Sequence, residues 1–157
     1  KITDLNQIDS FVDIIKISFQ TVADQYGLTE LNSPTNPAFT SFDNLTKIAL
    51  KADCFGVYIN TIPSGFFALE FNIENKTAYL ERVCVLPELR HKGIGQSILK
   101  FAEQFCKNLN IEKISIGIMN QNEILKKWYK QNGFTEISIK QFSHLNFDVC
   151  FLENRLK

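Results

Sequence analysis

The chain has 157 residues, enough for one domain over 1–157 that buries roughly 70% of its unfolded surface. Lysine plus arginine and aspartate plus glutamate number 17 each, which argues against a general nucleic-acid binder while leaving room for a local basic patch. The four cysteines Cys54, Cys84, Cys106 and Cys150 are scattered without a CxxC pair and accompany only two histidines, so no metal site is expected.

Each cysteine sits among apolar neighbours and reads as a small buried hydrophobe in a reduced, cytoplasmic chain. The stretch "KITDLNQIDSF" lacks the apolar segment of a signal peptide. No apolar run approaches the ~18 residues of a membrane span.

Apolar residues at Ile8, Phe11, Val12, Ile15, Phe19, Val22, Ala23 and Tyr26 predict a helix over Gln7–Tyr26, stopped by Gly27. "LTELNSPTNPAFTSF" reads as an ordered loop. A short helix follows, with Ser41 near its cap and Leu45, Ile48 and Ala49 on its buried side. "CFGVYINT" and "FFALEFNIE" are strands around the turn signal "IPSG", and "AYLERVCVLP" completes an antiparallel meander that Pro87 ends.

A helix over Ile94–Asn108 carries the stripe Ile98, Leu99, Ala102, Phe105, Cys106 and Leu109. "KISIGIM" is a strand, and the strand–helix–strand order predicts a right-handed crossover to a parallel neighbour. Another helix spans Asn122–Asn132, with Gly133 at its left-handed end and Phe134 folding back. "FTEISIKQF" and "FDVCFLENRL" are the closing strands. The expected fold is α+β (mixed α/β) around one sheet.

Residues 90–96 carry the most specific chemistry. A helix N-terminus offers unpaired amides and a partial positive charge. Gly93 and Gly95 let a backbone approach a ligand, and Arg90, His91 and Lys92 add charge, which is how a phosphate is held. The P-loop pattern GxxxxGK[ST] is absent. Ile98 stands where a dinucleotide fingerprint needs its third glycine. By itself the loop reads equally as a softened turn that caps a helix.

Its flanks resemble the GNAT superfamily of acyl-CoA-dependent N-acetyltransferases. The family signature [QR]-x-x-G-x-[GA] after a V-x-P strand end is matched by Arg90-His91-Lys92-Gly93-Ile94-Gly95 after Val85-Leu86-Pro87. A later Asn, then Tyr seven residues on, then Gly-Phe, is matched by Asn122, Tyr129, Gly133 and Phe134. The match covers Tyr79 to Phe134. His91 and Leu125 depart from the Gly and Ala that many members carry, and Leu125 narrows the space beside the acyl group.

The resemblance implies a mostly antiparallel twisted sheet with a splayed parallel pair and helices on both faces. It implies acetyl-CoA as co-substrate, its pyrophosphate held by backbone amides from Lys92 to Gln96 (Ile94 and Gly95 among them). The backbone of Val83, Cys84 and Val85 would pair with the pantetheine arm as an added strand and steady the developing oxyanion. Asn122 would bond the pantetheine amides or cap its helix. Lys126, Lys127 and Lys130 would meet adenosine phosphates or form a solvated face.

Tyr129 would share its proton with the leaving thiolate, or serve as core packing beside Ile124, Leu125 and Trp128. Full transfer is uphill by roughly 2 kcal/mol at ordinary phenol and thiol pKa values. The attacking amine must be neutral, which costs about 4.6 kcal/mol at pH 7. Glu81, expected on the face of Val83 and Val85 if no bulge intervenes, is the first candidate base; Glu70 is the second. Either is otherwise a strand carboxylate or ion-pair partner.

The acceptor is expected across the sheet from the cofactor, between the first helices, the Leu28–Phe42 loop and the last hairpin. Asp24, Glu30 and Glu70 are candidates to attract an amine or are plain surface, and His144 reads as a structural hydrogen-bonder. A small-molecule amine is the leading acceptor, with no nucleic acid or membrane partner and a monomer or homodimer as the assembly. A peptide or protein N-acetyltransferase and a non-catalytic acyl-CoA-binding module are the alternatives.

Overall fold

The amphipathic stripe that begins near Ile8 folds as α1 (Asp9–Tyr26) after a 3-10 turn at Leu5–Gln7, in a computed structural model that describes residues 1–156. Gly27 ends α1 in the left-handed region and returns its amide to the Ala23 and Asp24 carbonyls. The loop that follows contains a second 3-10 turn, Pro37–Phe39, capped by the Asn36 side chain. In α2 (Phe42–Ala49) the Ser41 hydroxyl caps the Asn44 amide, and Leu45 and Ile48 are buried.

The meander is β1 (Ala52–Ile59), β2 (Ile62–Asn72) and β3 (Thr77–Val85). Its first turn is not "IPSG". The chain reverses at Asn60 and Thr61, both at positive φ, and Ile62–Gly65 already belongs to β2. Two consecutive left-handed residues give the tight hairpin geometry that matches strand twist. Pro63 is accommodated where the β1–β2 register shifts, at Val57/Tyr58.

The crossover helix α3 (Ile94–Asn108) returns to β4 (Lys113–Met119), parallel to β3; α4 (Glu123–Gln131), β5 (Thr135–Lys140) and β6 (Val149–Arg155) follow. The sheet order is β1-β2-β3-β4-β6-β5, so the last strand inserts beside β4 and leaves β5 at the edge. The parallel pair is short: only Thr77, Ala78 and Tyr79 find partners, on Lys113, Ile114 and Ser115. Beyond that point β3 and β4 splay apart, as expected.

β2 is buried on both faces. Phe67 and Leu69 join Leu80, Val85, the α3 stripe and Tyr129 in one cluster, while Phe66 and Ala68 join Phe11, Ile15, Leu45 and Cys84 in another. Helices α3 and α4 therefore cover one face, and α1 and α2 the other. A third cluster of Ala23, Leu28 and Ala38, with Phe39, Met119 and Phe147 packed on it, ties the loop after α1 to the far end of β4 and the last hairpin. Ser33 reinforces this contact by donating to the Asn146 side chain at 3.0 Å. Leu109 and Ile124 depart from their expected burial, at 46% and 80% exposed.

Candidate active site

The splay leaves the β4-facing edge of Leu80–Val85 without a strand partner, and the N-cap of α3, Gly93, lies eight residues beyond Val85. The α3 ladder starts with the Ser97 amide on the Gly93 carbonyl at 3.0 Å, so the amides of Ile94, Gly95 and Gln96 have no helical acceptor. His91 and Gly93 both take left-handed backbone conformations, which turn the chain sharply into the helix. The side chains of His91, Lys92 and Gln96 are exposed. A free strand edge, a helix N-terminus and two basic side chains thus stand in one continuous stretch. Pyrophosphate on the amides and an extended amide-bearing arm along β3 fit these groups.

Two residues of this stretch have other duties than expected. Arg90 turns its guanidinium inward: Nε donates to the Val85 carbonyl at 3.2 Å, Nη1 to Thr21 Oγ1 at 3.0 Å, and Nη2 to the Ser18 carbonyl. It bolts the loop to α1, and its charge is spent on protein acceptors instead of facing a phosphate. Gly95 is not an open approach for a ligand. A Cβ there would lie 3.0 Å from Trp128 Cζ2 and 3.3 Å from Cη2, so this glycine lets α3 and α4 pack closely. At Gly93 nothing lies within 4 Å, and its φ of +80° is the reason for glycine.

Glu81 is not on the face of Val83 and Val85. Phe66 pairs with Cys84 but Ala68 pairs with Glu81, so Phe67 alone faces the two residues Arg82 and Val83. Arg82 supplies the bulge by adopting a φ of +52°. The extra residue flips the alternation: Glu81 and Cys84 share the α1–α2 face, while Val83 and Val85 pack toward α3 and α4. Glu81 there pairs with Arg82 at 3.3 Å, and Glu70 on the same face pairs with Lys51 at 2.8 Å.

Tyr129 lies on the other side of the splay. It is 3% exposed, packed edge-on against Trp128 at 4.8 Å and Phe134 at 5.2 Å. Burial pushes its phenol well above the ordinary value of 10.0. Its backbone carbonyl accepts from the Phe134 amide at 3.1 Å, with Gly133 in the left-handed region, which is the expected fold-back. Val83, Leu125 and Trp128 pack against the cluster that holds Tyr129 and Val85. The candidate acid and the candidate base therefore stand on opposite faces, with the gap between β3 and β4 between them.

The remaining candidates divide. Asn122 is 9% exposed and its Oδ1 caps α4 by accepting from the Leu125 amide at 3.0 Å. Lys126 is buried against expectation, held by Asn120 and Glu123 at 2.9 Å each. Lys130 pairs with Glu136 at 2.6 Å, and Lys127 is exposed. Asp24, Glu30 and His144 are exposed, the last tilted against Phe142.

All four cysteines are free and buried. Burial raises the Cys54 and Cys84 thiols to about 11 and Cys106 to about 12, so none of these three offers a thiolate at neutral pH. Among the described residues no group of three His, Cys, Asp or Glu side chains is placed to hold a metal, and no helix is long and apolar enough to cross a membrane. Sequence reasoning missed Arg82, whose left-handed backbone has no local signal. It also missed the polar cavity of about 450 Å³ between Gln121 and the Gln141–Asp148 connection.

The acetyltransferase (GNAT) family model matches residues 21–134. Over 79 residues the chain is 34% identical to a spermidine N(1)-acetyltransferase of Thermoplasma acidophilum, covering 50% of this chain and 48% of that protein. Over 79 residues it is 24% identical to the chloroplastic GCN5-related N-acetyltransferase 6 of Arabidopsis thaliana, covering 50% of this chain and 27% of that protein. The chain thus spans half or less of these two relatives. Among solved structures, the PaiA N-acetyltransferase from Thermoplasma acidophilum in complex with coenzyme A superposes with a TM-score of 0.78 at 18% identity, covering 99% of this chain and 96% of that one. With the family model spanning well over half of its length, a splayed parallel pair and the helix-end loop beside it, the chain belongs to the acetyltransferase (GNAT) family.

Proposed function

We propose that residues 1–157 form one acyl-CoA-dependent N-acetyltransferase domain that transfers an acetyl group from acetyl-CoA to the primary amine of a small molecule. The observation that carries this reading is the unpartnered edge of β3 leading into the α3 N-terminus, a strand edge for the arm and a set of amides for the pyrophosphate. Acetyl-CoA supplies an activated thioester. The backbone of Val83, Cys84 and Val85 orients the arm, and the amides from Lys92 to Gln96, with the His91 and Lys92 side chains, hold the anionic end. Asn122 keeps α4 capped beside the same gap.

The amine approaches from the α1–α2 face, where Glu81 and Glu70 lie. A carboxylate there takes the proton that the amine must lose. The new C–N bond forms as the C–S bond breaks, and Tyr129 donates a hydrogen bond to the sulfur as charge builds on it. The loop after α1, fastened to the last hairpin by Ser33 and Asn146, supports a bounded acceptor site over an open peptide groove.

The test is a screen of polyamines, amino acids, aminoglycosides and peptides, following release of free thiol, with calorimetry of acetyl-CoA alone. Wild-type chain should bind acetyl-CoA, and Gly93→Glu should abolish binding by placing a carboxylate among the amides. Wild-type affinity in that variant removes the cradle assignment. Binding without turnover of any amine removes the catalytic reading and leaves an acyl-CoA-binding module.

A further inference from the structure

The bulge that turns Glu81 to the α1–α2 face also delivers Arg82 there, its side chain 18% exposed. The Arg82 Nη1 donates to the neighbouring Glu81 at 3.3 Å, its sole acceptor among the described residues. Its Nε is buried and has no partner among the described residues. Burial lowers the guanidinium's pKa from its ordinary value, against the pull of Glu81. A desolvated charge with an idle donor is unfavourable unless a ligand completes it.

Arg82 lines a cavity of about 210 Å³ whose other walls come from the loop before α2 and from α2 itself. Thr40, in the same wall, carries a second buried polar atom, Oγ1, without a partner among the described residues. Asn36 spends its side-chain oxygen on the Ala38 amide, so its NH2 group remains to donate. Phe39 and Ile48 supply apolar surface, and no carboxylate is among the lining residues. Arg82, Thr40 and Asn36 thus bring a guanidinium, a hydroxyl and an amide to the walls of one small volume, a donor set that suits the two oxygens of a carboxylate.

We infer that this cavity anchors the acceptor and that Arg82 takes its carboxylate, so that the acceptor is an amino-acid-like molecule carrying both an amine and a carboxylate. The inference rests on the acetyl-transfer reading above and narrows its substrate class. It also gives the strained backbone of Arg82 a purpose: the same bulge sets Glu81, the candidate base, one residue from the anchor. An amine on a short tether from the bound carboxylate is thereby kept on the face that bears Glu81 and Glu70.

The experiment uses the full chain labelled with 15N. The Arg82 Nε–H cross-peak, assigned with Arg82→Lys, is followed while the twenty amino acids, their carboxamides and the corresponding decarboxylated amines are titrated in. At least one amino acid should move the peak, and its carboxamide should bind roughly 10- to 100-fold more weakly. With acetyl-CoA present, kcat/KM from thiol release should show the same ratio. Arg82→Gln should bring that ratio near one while acetyl-CoA affinity holds.

A peak unmoved by every amino acid overturns the inference, as do equal affinities for acid and amide or a preference that survives in Arg82→Gln. If no amine is turned over, the acetyl-transfer reading falls, and the cross-peak titration still decides the carboxylate site. If Arg82→Gln melts out, the wild-type titration and Arg82→Lys carry the decision.

Discussion

The two glycines of the helix-end loop answer to different constraints, and Gly95→Ala tests the difference by its sign. In an ordinary first helical turn alanine gains up to about 1 kcal/mol over glycine. Here the added Cβ would sit 3.0 and 3.3 Å from two ring carbons of Trp128, inside the usual ~3.5–4.0 Å carbon contact. Overpacking of this kind costs roughly 1–3 kcal/mol, so the net effect is a loss of up to about 2 kcal/mol. For a chain of this length that lowers Tm by up to roughly 8 °C. In a Trp128→Leu background the two ring atoms are gone, and Gly95→Ala should stabilise by up to about 1 kcal/mol relative to that background. Urea denaturation of the four chains closes the cycle. Stabilisation by Gly95→Ala in the wild type, or an unchanged loss in the leucine background, would refute the steric account.

Tyr129→Phe keeps the ring packing on Trp128 and Phe134, so stability should change by less than about 1 kcal/mol while kcat falls about 10²- to 10⁴-fold at unchanged acetyl-CoA affinity; wild-type kcat would take the phenol out of the mechanism. Because burial raises that phenol, the wild-type kcat profile should show no alkaline loss from Tyr129 below about pH 10. Arg90→Met removes bonds to Val85, Thr21 and Ser18 and should cost about 2–4 kcal/mol in urea while raising the acetyl-CoA Kd; an unchanged Cm would mean that the bolt is idle. The Cys84 thiol is raised from an ordinary 9.0 to about 11 in the folded chain, and unfolding lets it ionise earlier. Its contribution is whole below about pH 8.5 and is lost as pH rises toward 11, a fall on the order of 3 kcal/mol. Melts across that range in a Cys84→Ala background should show a shallower decline, and an equal decline in both chains would assign the loss elsewhere.

Much of the fold could be read from periodicity because the burial pattern and the local signals agree. The α1, α3 and β4 spacings, the Ser41 cap and the Gly133 stop each had a local physical cause within a few residues. The strand readings fail where a residue with a Cβ enters the left-handed backbone region. Asn60, of a type that tolerates that region, and β-branched Thr61, of one that does not, make the turn, while Pro63 and Gly65 carry the stronger local turn signals. Arg82 does the same inside a strand, and one residue of slippage moved Glu81 to the other face. The uses of Arg90, Gly95 and Lys126 depend on partners 69, 33 and six residues away, or on a neighbouring helix, which spacing along the chain does not report. The loop was legible as a candidate anion site; that Arg90 turns inward to α1 and that Gly95 packs on Trp128 was not.

The three-residue ladder between β3 and β4 makes the sheet two half-sheets joined at one end, with α3 crossing from one to the other over a single face. Such a joint is a seam, and a molecule lying along the open edge of β3 spans it like a seventh strand. Its binding energy would then appear as cohesion between the halves, by about 2.7 kcal/mol at a hundredfold excess over Kd. Amide exchange along Leu80–Val85 should slow as the seam fills, while exchange at the Thr77–Tyr79 end stays unchanged. Under the proposed acetyl-CoA reading, donor concentration would in that sense set how tightly the two halves are held together.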